Sequence, residues 1–148
     1  MYDKIVLGTD GSERSRRALD HAVGLCQATG ATLHLVQGLG SPVVMAGTEG
    51  AIAAASIADE GTISEVAHHL EEFVAPIREL GVSVEIHVRP QAGARAILTL
   101  AEEIDADLIV VGNRGMTSAS RFILGSVPNS ISHHAPCSVL IVDTRDPE

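Results

Sequence analysis

Aromatic residues are nearly absent: among 148 residues there is no tryptophan, one tyrosine and two phenylalanines. A core must therefore be assembled from Val, Ile, Leu and Ala, which suits buried parallel strands flanked by Ala-rich helices. Lysine is reduced to Lys4, and ten Lys and Arg face nineteen Asp and Glu, giving a formal net charge of −9. Such a surface repels DNA or RNA, and neither a basic run nor a set of stacking aromatics offsets the repulsion. No apolar stretch reaches the ~18 residues a membrane-spanning helix requires. Met1–Val6 leads straight into a strand pattern, without the basic and apolar regions of a cleavable leader. Cys26 and Cys137 sit on separate elements without ligand or redox spacing, so reduced thiols are expected. Together these absences predict a cytoplasmic protein with no nucleic-acid or membrane partner.

What is present fits one α/β domain over residues 1–148. Hydrophobic residues make up 45% of the chain, enough to exclude disorder from want of apolar surface. Five apolar runs read as strands: Lys4–Thr9, Thr32–Val36, Val82–Val88, Leu108–Gly112 and Ser138–Val142. Stretches of helical period separate them. The first opens at Asp10-Gly11-Ser12-Glu13, where Asp10 or Ser12 can cap free N–H groups, and buries Ala18, Leu19, Ala22, Val23 and Cys26 before Gly30. The second begins at a capping box, Thr62-Ile63-Ser64-Glu65, and contains Pro76, which predicts a kink or register shift. A third spans about 93–105 and a short fourth runs from near Ser126 to His134. Strand–helix alternation predicts a parallel sheet with helices on both faces. Residues 38–56, rich in Gly, Ala and Ser, read as a long loop, either a lid over a site or an inert insertion.

Glycine carries the chemistry. Val110-Val111-Gly112-Asn113-Arg114-Gly115 is followed after nine residues by Gly125-Ser126. Gly112 ends a buried strand where a Cβ would keep a ligand from the backbone, and Gly115 permits a positive φ. Gly125-Ser126 opens a helix whose free N–H groups favour a phosphate. Ordinary turns use the same residues, so spacing alone leaves both readings standing.

The chain resembles the universal stress protein family over nearly its whole length. The resemblance rests on Ile5-Val6-Leu7-Gly8-Thr9-Asp10-Gly11-Ser12-Glu13, Leu33-His34-Leu35-Val36, Ala106-Asp107-Leu108-Ile109-Val110-Val111-Gly112 and the ending His133 through Val142. Its spacing G-x2-G-x9-G-[ST], the marker of ATP-binding members, is complete here. The resemblance implies a doubly wound, Rossmann-like five-stranded parallel sheet in the order 3-2-1-4-5. It also implies ATP, with Mg2+ or Mn2+ on the phosphates, between the end of the first strand and the glycine motif. Thr9 and Asp10 would border the adenosine, and Leu35 would meet the adenine edge through its backbone. Val111, Gly112, Arg114, Gly115, Gly125, Ser126 and Val127 would surround ribose and phosphates. A homodimer through strand 138–142 is implied as well. One residue departs from the pattern: Pro128 stands where members commonly carry a small or hydroxyl residue able to donate to phosphate. AMP, ADP and cyclic AMP therefore stay open beside ATP.

No resident metal ligand set and no catalytic residue are expected. His68-His69 and His133-His134 are neighbours that point apart on helices, and His21, His34 and His87 lack a partner at ligand spacing. Nothing supplies an obvious general base for attack on a γ-phosphate. The reading is an ATP-binding stress-response regulator. Its alternatives are a dimeric interaction protein without nucleotide, an AMP or cyclic AMP binder, and a slow ATPase.

Overall fold

The computed structural model describes residues 1–40, 59–113 and 124–145. Nine elements alternate along the chain: β1 (Lys4–Gly8), α1 (Ser15–Thr29), β2 (Thr32–Gly40), α2 (Glu60–Glu79), β3 (Val84–Ala92), α3 (Gly93–Glu103), β4 (Leu108–Gly112), α4 (Ser126–His134) and β5 (Ser138–Val142). The strands form one all-parallel sheet in the order β3-β2-β1-β4-β5. This is the doubly wound, Rossmann-like order implied by the resemblance.

Strand alternation splits the core in two. Ile5 and Leu7 of β1, Leu33 and Leu35 of β2 and Val110 of β4 pack under α1 and α2. Val6, Val36, Ile109 and Val111 face the other way, onto Ala96, Ile97 and Leu100 of α3 and Ile131 of α4. Each such Leu or Ile contributes about 1.5–3 kcal/mol when fully buried. The five residues expected to form the α1 stripe are all buried, and Gly30 closes that helix at φ 79° with its N–H on the Cys26 carbonyl. Cys26 and Cys137 are free thiols, and burial pushes the Cys26 thiol up to about 11, so it stays protonated and unreactive.

Several sequence expectations are corrected. Neither Asp10 nor Ser12 caps α1 through its side chain: the N-cap is Arg14, and the Ser12 carbonyl accepts the Ser15 N–H. The second helix begins at Glu60, capped by Asp59, which accepts the Thr62 N–H at 2.7 Å, so Thr62 lies inside the first turn. Pro76 stays within that helix on its exposed side. The strand expected to end at Val36 continues to Gly40, and its partner runs to Ala92. Gly38 therefore belongs to β2, while 41–58 lie outside the described residues. The extension depends on missing side chains, because a Cβ at Gly38 would stand 2.6 Å from the Gln91 carbonyl and one at Gly40 2.7 Å from that of Pro90. Pro90 itself is tolerated because β3 is an edge strand.

Candidate functional site

In the order β3-β2-β1-β4-β5 the chain turns outward from β1 in both directions, so α1 and α3 leave on opposite faces. A crevice opens between them at the C-terminal ends of β1 and β4. It is a cleft open to solvent at the switch point of the sheet, a place where α/β folds commonly bind small molecules. Its floor is Gly8, Val36, Gly38, Val111 and Gly112, and its walls come from the Thr9–Ser15 turn, from Gly93 and Ile97 of α3, and from Val127 and Pro128 of α4. A Cβ at Gly8 would stand 2.3 Å from the Ile97 Cδ1, so only glycine keeps this part of the floor open without displacing Ile97.

The wall after β1 is tightly bonded. Thr9 Oγ1 accepts the Gly11 N–H at 3.0 Å and donates to Ser15 Oγ at 3.0 Å. Ser15 Oγ in turn donates to the Ser12 carbonyl at 2.5 Å. Asp10 Oδ1 accepts the Ser12 N–H at 2.9 Å and the Ser12 hydroxyl at 2.6 Å. Gly11, at φ 76°, supplies the left-handed residue this turn demands. Asp10 remains exposed, with its second carboxylate oxygen unpaired among the described residues.

The opposite wall is built around Asn113. Its N–H donates to the Val142 carbonyl at 2.8 Å and its carbonyl accepts the Gly125 N–H at 3.0 Å. Its Oδ1 accepts both the N–H and the hydroxyl of buried Thr144 at 3.0 Å, and its Nδ2 donates to Asp143 at 3.2 Å. The Arg145 side chain and, less, Asn113 hold the Asp143 carboxyl well below the usual carboxylate range. The Gly125 amide is thus engaged by the protein. Ser126 and Val127, the first two residues of α4, have no acceptor for their amides among the described residues, and Pro128 has no N–H to offer.

Of the residues singled out from sequence, Thr9, Asp10, Val111, Gly112 and Val127 line one cleft. Gly125 and Ser126 stand at the start of the helix that borders it. Arg114 and Gly115 lie outside the described residues. Leu35 is fully buried under α1 and α2 and does not line the cleft, whereas Val36, Gln37 and Gly38 do. The Val36 carbonyl already accepts the Thr9 N–H at 3.0 Å. Gln37 carries a signal of its own: its Oε1 is buried without a partner, and a Cβ at Gly11 would lie 3.4 Å from it. From sequence it stands out only as a polar residue after an apolar strand.

Another polar cluster lies at the β2–β3 edge, two residues down the strand from Val36. His34 and His87, expected to lack partners at ligand spacing, meet across the strands with Nδ1 and Nε2 3.2 Å apart. Glu85 Oε2 lies 3.5 Å from His34 Nδ1 and 3.9 Å from His87 Nε2. Burial lowers the pKa of both imidazoles.

Known proteins share this architecture. A universal stress protein of Staphylococcus aureus is 31% identical over 151 aligned positions, covering 98% of this chain and 86% of the other. A universal stress protein solved in complex with cAMP superposes with a TM-score of 0.71 at 29% identity, covering 97% and 98% of the two chains. A universal stress protein from Archaeoglobus fulgidus, solved in complex with dAMP, superposes at 0.68 and 23% identity over 97% and 98%. The family model for universal stress proteins matches residues 1–143. With the strand order and the crevice at its switch point, these matches establish that the chain belongs to the universal stress protein family.

Proposed function

We propose that the cleft at the ends of β1 and β4 binds an adenine nucleotide, with ATP as the ligand that would use the whole glycine motif, and that the protein acts as a nucleotide-responsive stress regulator in the cytoplasm. The observation that carries this reading is the cleft itself: a floor that includes Gly8, Gly38 and Gly112, between a hydroxyl-rich turn and a helix start. The residues suit such a ligand. Gln37 Oε1 is a buried acceptor short of a donor, which the exocyclic amine of adenine would supply. The backbone of Val36–Gly38, instead of that of Leu35, lines the cleft and would border the base. Thr9 and Asp10 line the cleft and would stand at the ribose side, where the spare Asp10 oxygen would suit a phosphate-bound Mg2+ or Mn2+. The Ser126 and Val127 amides and Gly112 would receive phosphate, together with Arg114 and Gly115. When bound, the metal ion would neutralise phosphate charge.

Two observations favour a shorter ligand as the second reading. The Gly125 amide is bonded to Asn113, and Pro128 removes a third donor from the first turn of α4. AMP or cyclic AMP asks for fewer donors than a triphosphate, and the similar protein solved with cAMP lends support. Asp10 is the one carboxylate among the described residues of the lining and is bonded to Ser12, so we assign binding and not turnover. Strand β5 pairs with β4 on one side only, with Val139, Leu140 and Ile141 half-buried, and we propose that it pairs with its twin in a homodimer. Calorimetry of the nucleotide-free protein with ATP, AMP and cAMP, each with and without Mg2+, is the test. Saturable one-to-one binding of any of them supports the reading, their order of affinity chooses between the two ligands, and no heat at millimolar concentrations of all three ends it.

A further inference from the structure

We infer that His34, Glu85 and His87 form a binding site for a divalent transition-metal ion of the Zn2+ class, on the β2–β3 edge and separate from the nucleotide cleft. The sheet register creates the site. His34 lies opposite Glu85 in the parallel pairing of β2 with β3, and Val36 lies opposite His87. Glu85 and His87 are two residues apart on one strand and so project to the same face, the one covered by α3. Three donors thus stand on two hydrogen-bonded strands, a more rigid support than a loop.

The distances fit. His34 Nδ1, His87 Nε2 and Glu85 Oε2 are separated by 3.2, 3.5 and 3.9 Å. Ligand atoms around a tetrahedral ion with bonds of ~2.0–2.1 Å stand ~3.3 Å apart. A small closure by Glu85 brings all three within reach of one ion. His34 is 6% exposed and His87 half-buried, whereas Glu85 is exposed and leaves an entry path and a fourth position for water. Two imidazoles and a carboxylate suit Zn2+, Co2+ or Ni2+ better than Mg2+ or Ca2+, which take oxygen.

Hydrogen bonding alone accounts for the cluster poorly. Two neutral imidazoles place one proton between Nδ1 and Nε2, which serves the 3.2 Å contact. The two remaining contacts, at 3.5 and 3.9 Å to the carboxylate, are too long for good hydrogen bonds. Three lone-pair atoms therefore converge around a single proton, an arrangement that one cation satisfies completely. The nearby cations are occupied: Arg89 pairs with Glu103 at 2.7 Å and Lys4 donates to the Ile104 carbonyl at 2.6 Å.

The test uses the whole protein, stripped with EDTA and free of nucleotide, titrated with Co2+ and then with Zn2+ against a chromophoric chelator. One Zn2+ per chain is expected, with the intense visible bands of four-coordinate Co2+ centred on nitrogen and oxygen. His87→Ala and Glu85→Ala should each weaken Zn2+ binding by more than ~10-fold, the least that loss of even an outer hydrogen-bond partner costs. Glu85 is exposed, so its variant folds even where the His87 variant does not. His68→Ala, which removes an exposed His68–Glu72 pair elsewhere, should leave binding unchanged. A stoichiometry other than one, or wild-type affinity in Glu85→Ala, overturns the assignment.

Discussion

The two walls of the cleft are made in different ways. The wall after β1 is local: Thr9, Asp10, Gly11, Ser12 and Ser15 satisfy one another within seven residues of chain. The wall after β4 is assembled from afar, since Asn113 ties the end of β4 to Val142 at the end of β5, to Asp143 and Thr144 beyond it and to Gly125 before α4. A local turn forms as soon as its few residues meet, whereas the distant wall exists only when β5 has docked. The first wall is thus preorganised, its hydrogen bonds satisfied before any ligand arrives. The second has amide capacity that depends on long-range packing.

The largest effect on nucleotide affinity is expected where both walls meet. Gly112→Val adds a side chain to the shared floor, and overpacking of about 1–3 kcal/mol corresponds to ~10–100-fold in nucleotide affinity by calorimetry. Wild-type affinity in that variant would break the picture of a floor kept open by glycine. Next comes the difference between the walls. Asn113→Ala strands the Thr144 N–H and hydroxyl in a buried position. Each unsatisfied group costs about 1–3 kcal/mol, whereas Thr9→Val removes one part-exposed network and should cost about 0.5–1.5 kcal/mol in urea denaturation. Equal losses would erase the distinction between a local and a long-range wall.

Sequence shows the local wall better than the distant one. Thr9-Asp10-Gly11-Ser12 can be read from adjacent residues, as can the α1 stripe from Ala18 to Cys26, because helical period and turn chemistry are short-range properties. The strand order came from resemblance, since alternation of elements says nothing about which strands pair. The extension of β2 and β3 past Val36 and Val88 is not legible in the sequence, because Gln37–Gly40 and Arg89–Ala92 have no apolar period. They pair because glycines 38 and 40 let the partner backbone approach. The cleft gains Gln37 from β2 and Gly93 and Ile97 from α3, and His34 meets Glu85 and His87 only through a register that no single strand contains. The capping box at Thr62 was a plausible local signal overridden by a better one, Asp59, three residues earlier.

A smaller change sharpens the comparison from the side of the ligand. Pro128→Ala restores an N–H in the first turn of α4 without touching the β1 wall. One added hydrogen bond of about 0.5–1.5 kcal/mol net should raise ATP affinity by ~3–10-fold. Cyclic AMP affinity should barely change. An equal gain for both nucleotides would show that α4 does not separate triphosphates from monophosphates.

The smallest effect is expected in acid. Asp143 sits behind the distant wall, and its carboxyl is held below the ordinary carboxylate range first by Arg145 and then by Asn113. A carboxyl with a depressed folded pKa contributes stability that is fully present above its unfolded pKa of ~3.9. That contribution fades as the pH falls through the folded value, because the unfolded chain takes up the proton first. Asp143→Ala should therefore lower stability near neutrality and flatten the loss between pH ~4 and the acid transition, as followed by circular dichroism. The group is exposed, so solvent screens the interaction and the change is slight. A parallel, undiminished acid slope in the variant would mean that the Asn113 wall is held by its neutral hydrogen bonds alone, with the Asp143 charge contributing nothing.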